Sequence, residues 1–299
     1  MQLGSIDIGS NAVRLLVAEV CRLNNGEFFL KKEKMYRVPV RLGADAFGLG
    51  HISENSAEKL IKTMRAFKNI MDVYGVSLYR ACATSALRES GNAQEIIARV
   101  KQEAEVDIEL ISGDEEASVV LNGQLADNNW LDNRFSHLHM DVGGGSTELS
   151  LRHQTQTICA HSFQIGTVRL FEQKVLPQEW DSMGEWLTEQ VSPQLPLAII
   201  GAGGNINSIF KRSDNHAGEP LFYNYIKQQH QILAQLTIED RMRLHDMNRD
   251  RAEVIVYALD IFLYVMKITK IRQVFVPKIG LVDGIMMKLY ENVKHSNIV

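Results

Sequence analysis

The chain has 299 residues, 45% of them hydrophobic and 23% charged, and carries a formal net charge of −4. That length holds two domains of ordinary size, each with its own core. The mild acidity excludes a general nucleic-acid or anionic-membrane binder, which would show a basic field, but leaves room for a local basic pocket that takes a phosphorylated ligand. Cys21, Cys82 and Cys159 are odd in number and far apart. They predict neither a disulfide framework nor a zinc site, and they suit a reducing cytoplasm.

In chain order, residues 3–20 read as two short strands joined by the tight turn Gly9-Ser10-Asn11. Asp7 sits between Ile6 and Ile8 in the first of them, although aspartate is depleted in strands. The N-terminus reaches Asp7 too early for a secretory signal. Phe28–Met35 and Val38–Leu42 read as further strands, followed by the Gly-rich loop "LGADAFGLGHIS". Leu60, Ile61, Met64, Phe67, Met71 and Tyr74 recur at helical spacing, with Asn55 and Glu58 fitting a capping box and Gly75 a stop. "SLYRACATSAL" predicts a buried strand entering a loop, then a helix from Asn92 to Glu103. "VDIELISGDEEASVVLNGQL" predicts a strand, a turn and a helix with Asp114 as its cap. Alternating strands and helices mark an α/β chain.

The plan then repeats. "LHMDVGGGSTELSLR" matches "LGSIDIGSNAVRLLV" as apolar residue, Asp, apolar residue, Gly, small-residue turn and strand, so that Asp141 aligns with Asp7. Two such aspartates at domain-length separation predict duplicated domains with matching turns. "LAIIGAGGNINSIF" and "VFVPKIGLVDGIMMKLY" are two more strand, Gly-loop, helix units. Val254–Met266 is a buried core helix; Asp260 interrupts it and it is too short to span a bilayer.

Chemistry concentrates at the turns. Consecutive small residues let backbone N–H groups converge on phosphate oxygens. Gly143, Gly144 and Gly145 are followed by the hydroxyls of Ser146 and Thr147, while Ser10 and Asn11 add a hydroxyl and an amide. A P-loop is excluded, because the lysine is missing and the first turn leads into a strand. Carboxylates beside a phosphate nest repel the ligand unless a cation intervenes, so Asp7, Asp141 and Glu148 predict Mg²⁺. In "ISGDEEA" acidic residues suit a helix N-terminus, and one of Glu115 and Glu116 is a candidate general base. Arg14 and Arg88 are candidate phosphate-binding cations, with a solvated surface charge as the ordinary alternative. His137 and His139 alternate on one strand face, but no third ligand stands at a recognisable spacing.

The blocks "SIDIGSNAVRLLV", "ATSALRES", "ISGDEEA", "MDVGGGSTELSL", "IGTVRLFE", "GAGGNINSI" and "IGLVDGIM" occur in the order of the exopolyphosphatase/guanosine-pentaphosphate phosphohydrolase (Ppx/GppA) family, which the chain resembles from residue 5 to about 287. The resemblance implies two ribonuclease-H-like domains of the actin-like ATPase and sugar-kinase superfamily, flanking an interdomain cleft. Their expected bounds are 1–124 with a C-terminal helix 282–299, and 125–281. It implies Mg²⁺-dependent hydrolysis of the terminal phosphoanhydride of inorganic polyphosphate or of guanosine pentaphosphate (pppGpp). Glu116 matches the family's catalytic glutamate. Asp141, Gly143, Ser146 and Glu148 match its second phosphate loop, Asp7, Ser10 and Asn11 its first, and Arg88 its arginine after the "TSALR" strand.

Ala12 stands where Ser is common in that family, and Asn205 where Thr is more usual. The resemblance predicts a short two-domain form, lacking the helical region with which longer relatives hold extended polyphosphate. Two other functions share the phosphate loops: a non-catalytic polyphosphate or alarmone sensor, and a kinase of the same superfamily. The expected partner is polyphosphate or guanosine penta- or tetraphosphate, with no nucleic acid and no membrane, and the net charge permits a homodimer.

Overall fold

The computed structural model describes residues 1–126, 136–153, 156–191 and 197–295. The chain divides into two compact units, Met1–Asp127 with Gly280–Val299, and Asn128–Ile279.

The first unit opens with β1 (Gln2–Ile8), β2 (Val13–Arg22) and β3 (Phe28–Val38), an antiparallel meander. Helices α1 (Leu42–Leu49) and α2 (Glu54–Tyr74) lead to β4 (Val76–Ala83), which pairs parallel with β1. After α3 (Ser85–Arg88) and α4 (Ala93–Ala104), β5 (Ile108–Leu110) adds parallel to β4, and α5 (Gly113–Ala126) follows. The sheet order is β3-β2-β1-β4-β5.

The second unit repeats this plan. Strands β6 (Ser136–Val142), β7 (Thr147–His153) and β8 (Gln156–Phe163) form the meander, and α6 (Thr167–Phe171) and α7 (Pro177–Gln190) precede β9 (Leu197–Ala202). Then come α8 (Gly204–Arg212), β10 (Leu221–Phe222), α9 (Tyr223–Ala234), α10 (Ile238–His245), α11 (Arg249–Thr269) and β11 (Gln273–Phe275). The order β8-β7-β6-β9-β11, with β10 added at the edge, reproduces that of the first sheet and its pairing senses. Each unit is therefore a ribonuclease-H-like α/β domain. The core of the second unit is built where Leu138, Met140 and Leu149 of the sheet meet Ile255, Phe262 and Met266 of α11, all fully buried.

The last helix, α12 (Leu281–His295), belongs to the first unit. Its Val282, Met286 and Leu289 cluster with Leu3, Leu16 and Ala18 on one face of the sheet. The Ser5 hydroxyl donates to the Val282 carbonyl at 2.7 Å. Gly284 lies so close to Val119 that a Cβ would stand 2.1 Å from the Val119 carbonyl oxygen, so the glycine is what lets α12 and α5 touch.

Three local expectations are corrected. "LGADAFGL" is the helix α1 rather than a loop, because Leu42, Ala46 and Phe47 are buried and Gly43 N donates to the Ser10 carbonyl at 2.8 Å. Helix α2 is capped by Ser53, whose hydroxyl accepts from Ser56 N and bonds to Asp45, whereas Glu58 pairs with Lys62. Helix α5 starts at Gly113 with Ser112 as the capping residue: the Ser112 hydroxyl accepts from Glu115 N at 3.1 Å and its carbonyl from Glu116 N at 2.9 Å. Asp114 already lies inside the first turn, where its charge suits the positive end of the helix.

Candidate active site

The β1–β2 and β6–β7 hairpins are built alike. Asp7 faces Arg14 and Ile8 faces Val13 across the first, while Asp141 faces Glu148 and Val142 faces Thr147 across the second. Gly9 N donates to the Ala12 carbonyl at 3.3 Å, and Gly143 N to the Ser146 carbonyl at 3.0 Å. Each turn is then gripped by the segment after the third strand of its meander. Arg41 N and Gly43 N donate to the carbonyls of Asn11 (3.1 Å) and Ser10 (2.8 Å). Thr167 N donates to the Gly143 carbonyl (3.0 Å), Val168 N to that of Gly144 (2.8 Å), and Arg169 Nε to that of Gly145 (2.9 Å).

This grip fixes where the turn amides point. In a trans peptide the C=O of one residue and the N–H of the next point in opposite directions, and the described chain has no cis bond. With the Gly143, Gly144 and Gly145 carbonyls directed at α6, the N–H groups of Gly144, Gly145 and Ser146 are directed away from it. The same reasoning sends the N–H groups of Asn11 and Ala12 away from α1. Each turn thus presents a small cluster of backbone donors suited to an anion. Ala12 contributes through its amide, so the absent hydroxyl leaves this part of the first turn intact. Thr147, expected as a hydroxyl donor to phosphate, instead donates to the Ile165 carbonyl at 2.5 Å and holds the turn.

The position of Asp7 follows from strand alternation. Ile6 and Ile8 are fully buried on one face of β1; Leu3, Ser5 and Asp7 lie on the other, the face that α12 covers. Asp7 is only 4% exposed and its Oδ2 accepts from Arg14 Nη1 at 2.6 Å. Burial pushes the Asp7 carboxyl up from the ordinary carboxylate range against the pull of Arg14, and the nearby charge of Asp283 adds to the rise. Asp283, in the first turn of α12, accepts from Gly280 N and pairs with Lys32, both at 2.9 Å.

The remaining residues of the first unit gather at the C-terminal ends of its parallel strands, the edge at which open α/β sheets bind ligands. Thr84 N donates to the Ile8 carbonyl and Ile111 N to that of Ala83, so the segments after β1, β4 and β5 lie side by side. Arg88, in α3, donates from Nη1 to the Ile111 carbonyl at 2.6 Å and lies 3.6 Å from Glu116 Oε2. Successive residues of a helix diverge by roughly 100°, and here that divergence separates two adjacent glutamates. Glu116 turns inward, 9% exposed, toward Arg88; Glu115 turns outward to Arg80 (2.9 Å) and Lys288 (3.9 Å).

In the second unit Glu148 is buried and accepts from the Ser162 hydroxyl at 2.8 Å. Gly203 stands at φ +106, and a Cβ there would meet the Val142 carbonyl oxygen at 2.7 Å and Asp141 Oδ1 at 3.3 Å. Only glycine lets the start of α8 come this close to Asp141. The cross-strand neighbours Asp141 and Glu148 form a paired-carboxylate oxygen set. Such a set fits Mg²⁺, which is commonly bound by one or two carboxylates together with waters and substrate phosphates. Among the described residues no three His, Cys, Asp or Glu side chains are grouped to hold a metal. Asp7 belongs to the first unit, and His137 and His139, with ring centroids 6.4 Å apart, form no larger group.

Four residues to which the sequence gives no role pack against the turns or beside Asp7: Ser85, Gly166, Arg169 and Asp283. Gly166 and Arg169 lie in "IGTVRLFE", and Asp283 in "IGLVDGIM", so the blocks were visible while the roles were not. A Cβ on Gly166 would fall 2.3–2.5 Å from the backbone of Gly144 and Gly145.

Fold and site together define an α/β protein of two ribonuclease-H-like units, with a buried glutamate paired with Arg88 at the strand edge of the first. The chain belongs to the Ppx/GppA phosphatase family, whose model matches residues 30–293. A bifunctional 3-dehydroquinate synthase/phosphatase of Fusobacterium nucleatum is 32% identical over 217 residues, covering 67% of this chain and only 32% of that protein. Exopolyphosphatase 1 of Mycobacterium tuberculosis is 26% identical, covering 96% of this chain and 88% of that one. The crystal structure of the Aquifex aeolicus Ppx/GppA family member matches with a TM-score of 0.76 at 26% identity, over 98% of this chain and 99% of that one. An exopolyphosphatase from Cytophaga hutchinsonii, at 23% identity and a TM-score of 0.81 over 98% of both chains, shares the fold. No helix among the described residues is long and apolar enough to cross a membrane.

Proposed function

We propose that this chain is a Mg²⁺-dependent phosphohydrolase that releases the terminal phosphate of inorganic polyphosphate or of pppGpp, with Glu116 activating the attacking water. The observation that carries this reading is the inward-turned Glu116, held beside Arg88 at the strand edge that also bears the Ser10 turn. Family membership supports phosphate-ester or anhydride hydrolysis, and the exopolyphosphatases among the relatives support polyphosphate as the substrate class.

In this mechanism the amides of Asn11, Ala12, Gly144, Gly145 and Ser146 and the Ser10 and Ser146 hydroxyls bind phosphoryl oxygens. The Asn11 side chain adds a further donor. Arg14 and Arg88 offset negative charge that grows on those oxygens. Glu116 Oε accepts the proton of the attacking water, and the fixed donors hold the phosphoryl group in line with it. Asp141 and Glu148 would hold Mg²⁺; Asp7, the third expected carboxylate, is paired with Arg14 in the first unit. When bound, the ion supplies positive charge to the phosphate chain and polarises a phosphoryl oxygen. No covalent intermediate is needed, since positioning and electrostatics account for most phosphoryl-transfer catalysis.

The test is phosphate release with Mg²⁺ from polyphosphate, pppGpp and ATP, by wild type and Glu116→Gln in parallel. Release from polyphosphate or pppGpp that falls by about 10²–10⁴-fold in Glu116→Gln supports the hydrolase. A folded wild type that binds polyphosphate and releases nothing would overturn it in favour of a sensor.

A further inference from the structure

A second hydroxyl, from the start of α3, meets the first turn. Ser10 Oγ and Ser85 Oγ are 2.9 Å apart and both side chains are buried, at 3% and 2% exposure. Ser85 reaches this position because Thr84 N donates to the Ile8 carbonyl at 3.2 Å, laying the β4–α3 junction against the end of β1. From the other side Gly43 confines Ser10: its N–H holds the Ser10 carbonyl, and a Cβ there would stand 2.9 Å from Ser10 Cβ. The contrast with Ser90 is informative. Ser90, just past α3, donates its hydroxyl locally, to the Ala86 carbonyl four residues back. Ser85 sends its hydroxyl across to another segment.

Two hydroxyls carry two protons, and the bond between them uses one. The hydroxyl that accepts in the pair keeps its own proton for a third group. A phosphate oxygen only accepts, so an anion seated on the Gly9–Ala12 turn favours the arrangement in which Ser10 donates outward. Ser10 must then accept from Ser85. A donor that itself accepts a hydrogen bond is polarised and strengthened.

We propose that Ser85 is a positioning residue of the first phosphate-binding turn: its hydroxyl donates to Ser10 Oγ, so that Ser10 Oγ–H is directed at a phosphoryl oxygen. The inference rests on the phosphohydrolase reading above. In a turn that has Ala12 instead of a serine, the hydroxyl at the start of α3 thus orients the one that Ser10 offers.

The experiment is a double-mutant cycle on Ser10 and Ser85, read as kcat and KM for Mg²⁺-dependent polyphosphate hydrolysis. Ser85→Ala is expected to raise KM about two- to tenfold, the worth of one hydrogen bond, with kcat little changed. Ser85→Thr should restore the wild-type value, and Ser85→Cys, close in volume but a weak donor, should behave as Ala does. The double variant S10A/S85A should be no worse than S10A, because Ser85 acts only through Ser10. Losses that add in the double variant, or a Ser85→Cys protein with wild-type KM, would overturn the proposal. If the wild type releases no phosphate, the function reading fails by itself. The same cycle, read as the Kd for polyphosphate in a Glu116→Gln background, then decides the role of Ser85 by the same pattern.

Discussion

Gly166→Ala should damage the Gly143–Ser146 turn without dismantling the unit around it. The added Cβ would stand 2.3 Å from Gly145 C, 2.4 Å from the Gly144 carbonyl oxygen and 2.5 Å from Gly144 C. All three are backbone atoms, so no side chain can swing aside. Relief requires the 165–169 segment to move off the turn, which lengthens the bonds from Thr167 N, Val168 N and Arg169 Nε to the three glycine carbonyls. Overpacking of this kind costs about 1–3 kcal/mol, and in a unit of this size each kcal/mol lowers Tm by roughly 2–4 °C. Thermal unfolding should therefore show a drop of about 2–12 °C, with far-ultraviolet circular dichroism unchanged at 25 °C. Once the carbonyls are released, the amides of Gly144, Gly145 and Ser146 lose their common direction, and phosphate release should fall at least about tenfold, the worth of one or two hydrogen bonds to a charged group. Gly48→Ala is the control: no atom lies within 4 Å of its Cβ position inside α1, so it should gain about 0.5–1 kcal/mol. A Gly166→Ala protein with wild-type melting and wild-type turnover would refute the proposed grip on the turn.

Four further outcomes are expected. Glu115→Gln, which disturbs only the outward pair with Arg80 and Lys288, should keep turnover within about twofold because such exposed pairs contribute little; a loss as large as that of Glu116→Gln would show that the two glutamates are misassigned. Ser5→Ala removes the 2.7 Å bond to the Val282 carbonyl and should cost about 0.5–1.5 kcal/mol in denaturant unfolding; no change would mean that α12 is not tied to β1. His139 is buried and held neutral, its pKa pushed down to about 3 by desolvation, then by His137 and Arg152. In the unfolded chain it protonates near 6.5, so its neutral form favours folding above that pH and this contribution is lost as pH falls from 6.5 toward 3, by at most about 1.4 kcal/mol per unit; His139→Gln should flatten this slope relative to wild type, and parallel slopes would count against it. The Cys82 thiol is fully buried and its pKa is pushed up to about 12, chiefly by desolvation. Mass spectrometry after alkylation of the native protein at pH 8 should find Cys21 and Cys159 modified before Cys82.

The sequence by itself determined the two hairpins, their aspartates, the Gly turns and the duplicated α/β plan, because each rests on short-range information. Strand alternation, turn residues and the spacing of repeated blocks are all written within about a dozen residues. The residues alone left Glu115 and Glu116 open, and the family resemblance named Glu116 as the candidate base. Tertiary structure decided what depends on contacts between distant segments. Why Asp7 is tolerated between two isoleucines is one such case: the face opposite Ile6 and Ile8 is roofed by α12, nearly three hundred residues later in the chain, and lined there by Arg14 and Asp283. The helical state of Leu42–Leu49 is another, since its glycines argue locally for a loop and only docking on Ser10 and Asn11 overrides them. The direction of the turn amides, the split between Glu115 and Glu116, and the meeting of Ser10 with Ser85 likewise come from long-range packing. A local pattern can say which groups a turn offers. The segments that press on the turn fix which way those groups point.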